Sequence, residues 1–236
     1  MTNTYASQWF DVFLRNVSSA QTNHELTFLR RYLPQPRYTT LIDLCCGVGR
    51  HAQLLALHGY TVIGIDRDHA ALMEARRQSP PTISYLEQDM RALGNLALHA
   101  DAVLCLWQSF GYFDEATNTA ILQQISQQLS RQGRFVLDIY HRTFFEHHQG
   151  TRSFDFAGQQ ITETKTVQDG RLRVVLQYAG TEVTDRFDWQ LYTPEDICDL
   201  AGAYDLRPIA QCSNYDNGQP LTPTTPRMQF VFEKTA

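Results

Sequence analysis

From residue 39 to residue 140 the chain alternates short, β-branched apolar runs with stretches of helical periodicity. TTLIDLCC (39–46), TVIGID (61–66), TISYLEQD (82–89), ADAVLCLW (100–107) and GRFVLDIY (133–140) read as strands. RHAQLLALHGY (50–60), HAALMEARRQ (69–78) and ATNTAILQQISQQLS (116–130) read as the helices among them. Strands that alternate with helices form a parallel sheet covered on both faces, and open sheets of this kind bind ligands beyond the carboxyl ends of their strands.

The flanking segments extend this frame. Residues 5–15 place Trp9, Val12 and Phe13 at helical spacing, and Thr22 with Glu25 reads as a capping box that opens a second helix, stopped by Pro34 and Pro36. Beyond residue 150 the periodicity changes. Segments at 152–157, 160–168, 171–178 and 184–192 are rich in Thr, Val, Phe and Tyr, with Asp169-Gly170 as a hairpin signal between two of them. A helix from Pro194 and strands at 206–215 and 227–235 complete the frame, with a Pro-rich loop between those strands. The expected divisions are an N-terminal helical cap (1–37), an α/β domain (38–150 and 190–236) and a small antiparallel β insert (151–189).

Composition narrows the function classes. The chain is 43% apolar and 19% charged, with a formal charge of −5 and no basic tract, which argues against nucleic acid as a partner. The N-terminus lacks a signal-peptide pattern, and no apolar run reaches the roughly 20 residues that span a bilayer, so a cytoplasmic protein without a membrane partner is expected. The five cysteines are odd in number and form no CxxC pair, which suits reduced thiols and no zinc site. Glu146, His147 and His148 cluster in sequence, but adjacent histidines in an extended segment point opposite ways, so no metal is expected.

The chemistry should sit at the strand ends. The first strand reaches Asp43 and then Cys45, Gly47 and Gly49, where bare backbone admits a ligand against main-chain N–H groups. The second ends at Asp66, followed by Arg67 and Asp68; the third at Asp89 and Met90; the fourth at Trp107, with Phe110 and Tyr112 after it; the fifth at Tyr140 and His141. An acid after the second strand is a standard acceptor for ribose hydroxyls. The glycine pattern is C-x-G-x-G rather than the dinucleotide G-x-G-x-x-G, and Asp43 would repel a pyrophosphate but suits a cation. Other roles stay open. Asp66 or Asp68 could cap the next helix, Asp89 could end a turn, Trp107 could be core, and His141 could be a surface or capping histidine.

Together, DLCCGVGRH, VIGIDRD, LEQDM and DAVLCLWQSFGYF resemble, in order and separation, the motifs of class I S-adenosylmethionine-dependent methyltransferases. SFGYF and the later strand insert resemble a small-molecule subgroup that includes sugar-amine N,N-dimethyltransferases. Cys45 stands where that family usually has glycine. The resemblance implies a seven-stranded, mostly parallel Rossmann-like sheet whose last strand is antiparallel. It also implies S-adenosylmethionine as cofactor, S-adenosylhomocysteine as product and a small-molecule methyl acceptor. Asp43 and the Cys45–Gly49 backbone would hold the methionine part, Asp66 the ribose with Arg67 beside it, Asp89 and Met90 the adenine, and Trp107 would border the sulfonium. His141 is the candidate base, with Tyr112 and Tyr140 as alternatives that orient the nucleophile. N-methylation is preferred, O-methylation and non-catalytic cofactor binding being the alternatives. The cap, insert and Pro-rich loop would form a substrate lid, although the insert could be a dimer contact in a monomer or homodimer.

Overall fold

The structure is a computed structural model that describes residues 17–235, so the helix expected at 5–15 lies outside the described residues. In chain order the elements are α1 (Ser19–Tyr32), β1 (Thr40–Leu44), α2 (Arg50–Leu57), β2 (Thr61–Asp66), α3 (His69–Gln78) and β3 (Ser84–Glu87). A 3₁₀ helix (Met90–Leu96), β4 (Ala100–Cys105), α4 (Glu115–Gln128), β5 (Leu129–Tyr140) and α5 (Arg142–His147) follow. Then come β6 (Gly150–Phe156), β7 (Gln159–Gln168), β8 (Arg171–Tyr178), β9 (Thr184–Gln190), α6 (Pro194–Gly202), β10 (Leu206–Cys212) and β11 (Arg227–Lys234).

Seven strands form one sheet in the order β10-β11-β5-β4-β1-β2-β3, in which β11 runs antiparallel to both of its neighbours. The interior strands are apolar along their length because both faces are covered. Ile42, Leu44, Val103 and Leu137 pack into one core, and Leu41, Val62, Leu104 and Val136 into the other. The antiparallel β11 starts opposite the carboxyl end of β5, with Arg227 paired to Tyr140. The Pro-rich loop before it therefore lies on the ligand-binding edge.

The segment after α5 is a separate four-stranded antiparallel meander, β6-β7-β8-β9, with its own core of Ile161, Leu172, Leu176, Phe187 and Trp189. Asp169 and Gly170 both have positive φ (52° and 71°), as the expected tight hairpin turn requires. Ala157-Gly158 makes a second such turn, at 52° and 77°.

One local expectation is corrected. The helix α1 begins at Ser19, capped by Ser18, whose hydroxyl accepts from Gln21 N. Thr22 and Glu25 are not a capping box; both are buried side chains on the inner face of the helix. The S/T-x-x-E spacing also describes two residues one helical turn apart, and here burial against the sheet decides between the two.

Candidate active site

The β1–α2 turn shows why so little side chain follows Asp43. Cys45, Gly47 and Gly49 have φ of 62°, 53° and 78°, so the chain passes three times through the left-handed region. At Cys45 a side chain tolerates this backbone, and its Sγ lies 3.7 Å from Met90 Sδ. At Gly49 no side chain could fit, because a Cβ there would stand 2.2 Å from the Tyr85 hydroxyl. A Cβ at Gly64 on β2 would stand 2.6 Å from the same ring. Tyr85 thus packs on bare backbone of two segments and holds the turn against β2. Gly49→Ala is expected to destabilise the fold by about 2–4 kcal/mol in chemical denaturation, from positive φ plus overpacking. Adding Tyr85→Phe should recover part of that loss by removing the nearest atom, and no recovery would place the strain elsewhere.

Around this turn a cavity opens at the carboxyl edge of the sheet. Asp43, Cys45, Gly47, Asp66, Arg67, Asp89, Met90, Trp107 and Tyr112 line it, so four strand ends converge on one space. Gly49 sits at the N-terminus of α2, directly behind the lining residues Gly47, Val48 and Arg50.

The acids differ in their surroundings. Asp43 is 3% exposed, and its Oδ2 has no hydrogen-bond partner among the described residues. Burial lifts its carboxyl from 3.8 to about 6, opposed by nearby His51 and Arg50. Asp66 accepts from Gly47 N at 2.8 Å and from Asp68 N at 2.9 Å, and burial raises its pKa. Asp68, not Asp66, caps α3, accepting from the Ala70 and Ala71 amides. Asp89 caps the 3₁₀ helix and forms a two-point ion pair with Arg91 at 2.9 and 2.8 Å, which holds its carboxyl below the usual range. Asp89 therefore both ends a strand in a turn and lines the cavity.

Trp107 is held from several sides. Its backbone N–H donates to Asp138 Oδ2 at 2.9 Å, its indole N–H donates to Glu25 Oε1 at 3.0 Å, and the Arg50 and Arg227 guanidinium carbons lie 4.7 and 5.0 Å from its ring centroid. Tyr112 stacks on Trp189 of the insert at 5.6 Å, and Phe187 of the same strand lines the cavity. Phe110 is core, 2% exposed and packed near Tyr192, and does not line the cavity.

The two candidate groups at the end of β5, Tyr140 and His141, do not line this cavity. Tyr140 turns into the insert core against Phe145 and Trp189, and burial pushes its hydroxyl up to about 12. His141 is 3% exposed at the start of α5; burial lowers its pKa, with Glu195 pulling the other way. Packing of the insert under the end of β5 draws the Tyr140 ring away from the cavity, and His141 is buried near Glu195 at the start of α6. His147 and His148 bond the Thr143 and Phe144 carbonyls of their own helix, each at 2.7 Å, and do not share a site.

Two buried acids behind the cavity, Glu25 and Asp138, were not among the expected site residues. Glu25 is 1% exposed and carries Arg50 and His51 on Oε2. Burial opposes its ionisation, but His51 and Arg50 overcome this and bring its pKa from 4.5 to about 2. Its contribution to stability is complete above pH 4.5 and is lost as pH falls towards 2. Asp138 lies near the carboxyl end of β5, fully buried, and pairs with Arg227, Gln229 and the Trp107 amide. An acid inside the apolar run FVLDIY was the available signal for it.

The methyltransferase domain family matches residues 41–133. Over 104 residues the chain is 30% identical to a Streptomyces fradiae dTDP-3-amino-3,6-dideoxy-alpha-D-glucopyranose N,N-dimethyltransferase, covering 44% of this chain and 40% of that protein. The chain thus spans less than half the length of the curated relatives it matches. The CcbJ methyltransferase of Streptomyces caelestis superposes with a TM-score of 0.82 at 15% identity, over 99% of each chain. An amino pentose methyltransferase, CalS10 of Micromonospora echinaspora, solved with S-adenosylmethionine bound, superposes with 0.73 at 20% identity over the whole of both chains. At those identities the likeness to the solved structures is one of fold. Residues 41–133 thus match a methyltransferase domain, and the chain as a whole shares the fold of solved S-adenosylmethionine-dependent methyltransferases.

Proposed function

We propose that this chain transfers a methyl group from S-adenosylmethionine to the nitrogen of a small-molecule amine, with an amino sugar as the acceptor class. The observation that carries the reading is the orphan carboxylate oxygen of Asp43, buried in a cavity beside bare backbone amides. A buried anion without a partner calls for a cation, and the cofactor's amino acid end brings an ammonium to meet it.

The residues present fit that group. Asp43 would take the ammonium, and the Cys45–Gly49 backbone with the α2 N-terminus would take the carboxylate. Asp66 would accept from the ribose hydroxyls with Arg67 at its side, Asp89 and Met90 would meet the adenine, and Trp107 would border the sulfonium. When bound, the cofactor supplies an electrophilic methyl on a good leaving group. The chain's own task is then orientation, which can supply about 7–11 kcal/mol of barrier lowering.

Nitrogen is favoured over oxygen as the acceptor atom because, among the described residues, the one histidine in the lining, His51, is held by Glu25 at 2.8 Å. With His141 and Tyr140 outside the lining, Tyr112 is the remaining one of the three expected groups that reaches the cavity. A neutral amine needs orientation more than proton removal, whereas a hydroxyl needs a base. The amino-sugar class is supported by the name of the Streptomyces fradiae relative. We further assign the 151–189 insert to the acceptor side as a lid, on the strength of Phe187 in the cavity wall and Trp189 under Tyr112. Among the described residues no helix is long and apolar enough to cross a membrane.

The test is transfer of labelled methyl from S-adenosylmethionine to nucleotide-linked amino sugars, with the matching hydroxyl sugars alongside. Turnover of the amines alone is expected. Transfer only to the hydroxyl sugars would favour O-methylation, and cofactor binding with no transfer to any acceptor class would favour a binding role.

A further inference from the structure

Glu25 stands behind the cofactor wall rather than in it. Arg50, His51 and Trp107, whose side chains it binds, all line the cofactor cavity, whereas Glu25 lines a second, polar cavity with His24, Tyr215 and Arg227. Its Oε2 accepts from Arg50 Nη1 at 2.7 Å and lies 2.8 Å from His51 Nε2. Its Oε1 accepts from Trp107 Nε1 at 3.0 Å and from Gln21 Nε2 at 3.2 Å. Holding an ionised carboxylate at 1% exposure is expensive unless its oxygens are filled, and here both are filled twice.

Trp107 needs such an anchor. It and Gln108 have φ of 54° and 58°, two successive non-glycine residues in the left-handed region, so the backbone after β4 is strained where it meets the cavity. Asp138 holds that backbone through the Trp107 and Gln108 amides, at 2.9 and 3.1 Å. The two guanidinium groups cover the indole without setting its rotation in plane. The ring N–H sets that rotation, and Glu25 receives it.

Building on the methyltransferase reading, we propose that Glu25 is a positioning residue: from α1 it sets the indole of Trp107 and the guanidinium of Arg50 in the orientation that receives the cofactor. The carboxylate is essential to this role because every group it faces is a donor. A glutamine would turn an NH₂ group towards at least one of them, leaving donor against donor.

The experiment is a double-mutant cycle on the full chain, using Glu25→Gln, Trp107→Phe and both together. Calorimetric affinity for S-adenosylhomocysteine is the readout, and melting temperature is the folding control. Trp107→Phe keeps a ring between the two arginines and removes only the N–H and its indole extension. Each single variant is expected to bind about tenfold more weakly, and the pair also about tenfold, because both remove the same contact. A merely structural role lowers the melting temperature but leaves the affinity of the folded chain unchanged. Wild-type affinity in folded Glu25→Gln, or losses that multiply to about 100-fold in the pair, would overturn the proposal. If Glu25→Gln does not fold, Glu25→Asp takes its place in the cycle, because the shorter carboxylate no longer reaches the indole N–H; about a tenfold loss shared with Trp107→Phe supports the proposal, and wild-type affinity or multiplied losses overturn it. A folded wild-type chain that takes up no ligand defeats the underlying reading itself, and so is told apart from failure of the cycle.

Discussion

Replacing Asp43 by asparagine is expected to raise the stability of the ligand-free chain while reducing its affinity for S-adenosylmethionine by about 100-fold or more. The two effects share one cause. Asp43 is buried with a free Oδ2, and burial lifts its carboxyl from 3.8 to about 6. Between those values the folded chain holds a proton that the unfolded chain releases, so for this group folding is most favoured below about pH 4 and increasingly penalised as pH rises through 6. That rise corresponds to about 3 kcal/mol at neutral pH, and asparagine should relieve roughly 1–3 kcal/mol of it. The carboxylate that weakens the empty fold is the one the ammonium needs, so its removal separates stability from function. Thermal melts near neutral pH measure the first effect and calorimetry the second. A variant that is less stable yet still binds the cofactor would contradict this account of Asp43.

The second large effect concerns Asp138. Asp138→Ala is expected to lower stability by about 3–5 kcal/mol, the usual consequence of leaving one member of a buried ion pair alone. Asp138 raises the arginine pKa against the effect of burial, and even without that partner a guanidinium stays protonated at neutral pH, so Arg227 would be left charged and buried. Gln229 and the Trp107 amide would lose their acceptor as well. Replacing both partners with apolar residues, as in Asp138→Leu with Arg227→Met, should recover much of the loss. Denaturant midpoints of the single and double variants check this. Equal loss in both would show that the pair matters through its polar contacts to the β4 turn rather than through charge balance.

Most of the site's skeleton was legible because it follows from strand endings. Asp43, Asp66 and Asp89 each close an apolar run, and parallel pairing brings such closures to one edge. The Asp169-Gly170 hairpin was legible because its turn demands positive φ at both positions. The competition between Asp66 and Asp68 for the helix cap was visible as an ambiguity, and the register of α3 settled it. What stayed hidden depends on distant packing. Glu25 meets Trp107 across 82 residues and Asp138 meets Arg227 across 89, and no local pattern encodes either meeting. His141 lies just beyond β5, where the two-residue alternation of a strand no longer dictates a side, and its burial near Glu195 depends on a segment more than 50 residues away.

In the proposed function, the cavity at the β1, β2, β3 and β4 ends would take up the sulfonium cofactor through Asp43 and the glycine turn. Titration calorimetry of the wild-type chain with S-adenosylmethionine, at about pH 7.5 and again near pH 5, tests it most directly. We expect one molecule bound per chain, and affinity about tenfold lower near pH 5, where Asp43 must first release a proton. Folded protein that shows no uptake at either pH would contradict the account.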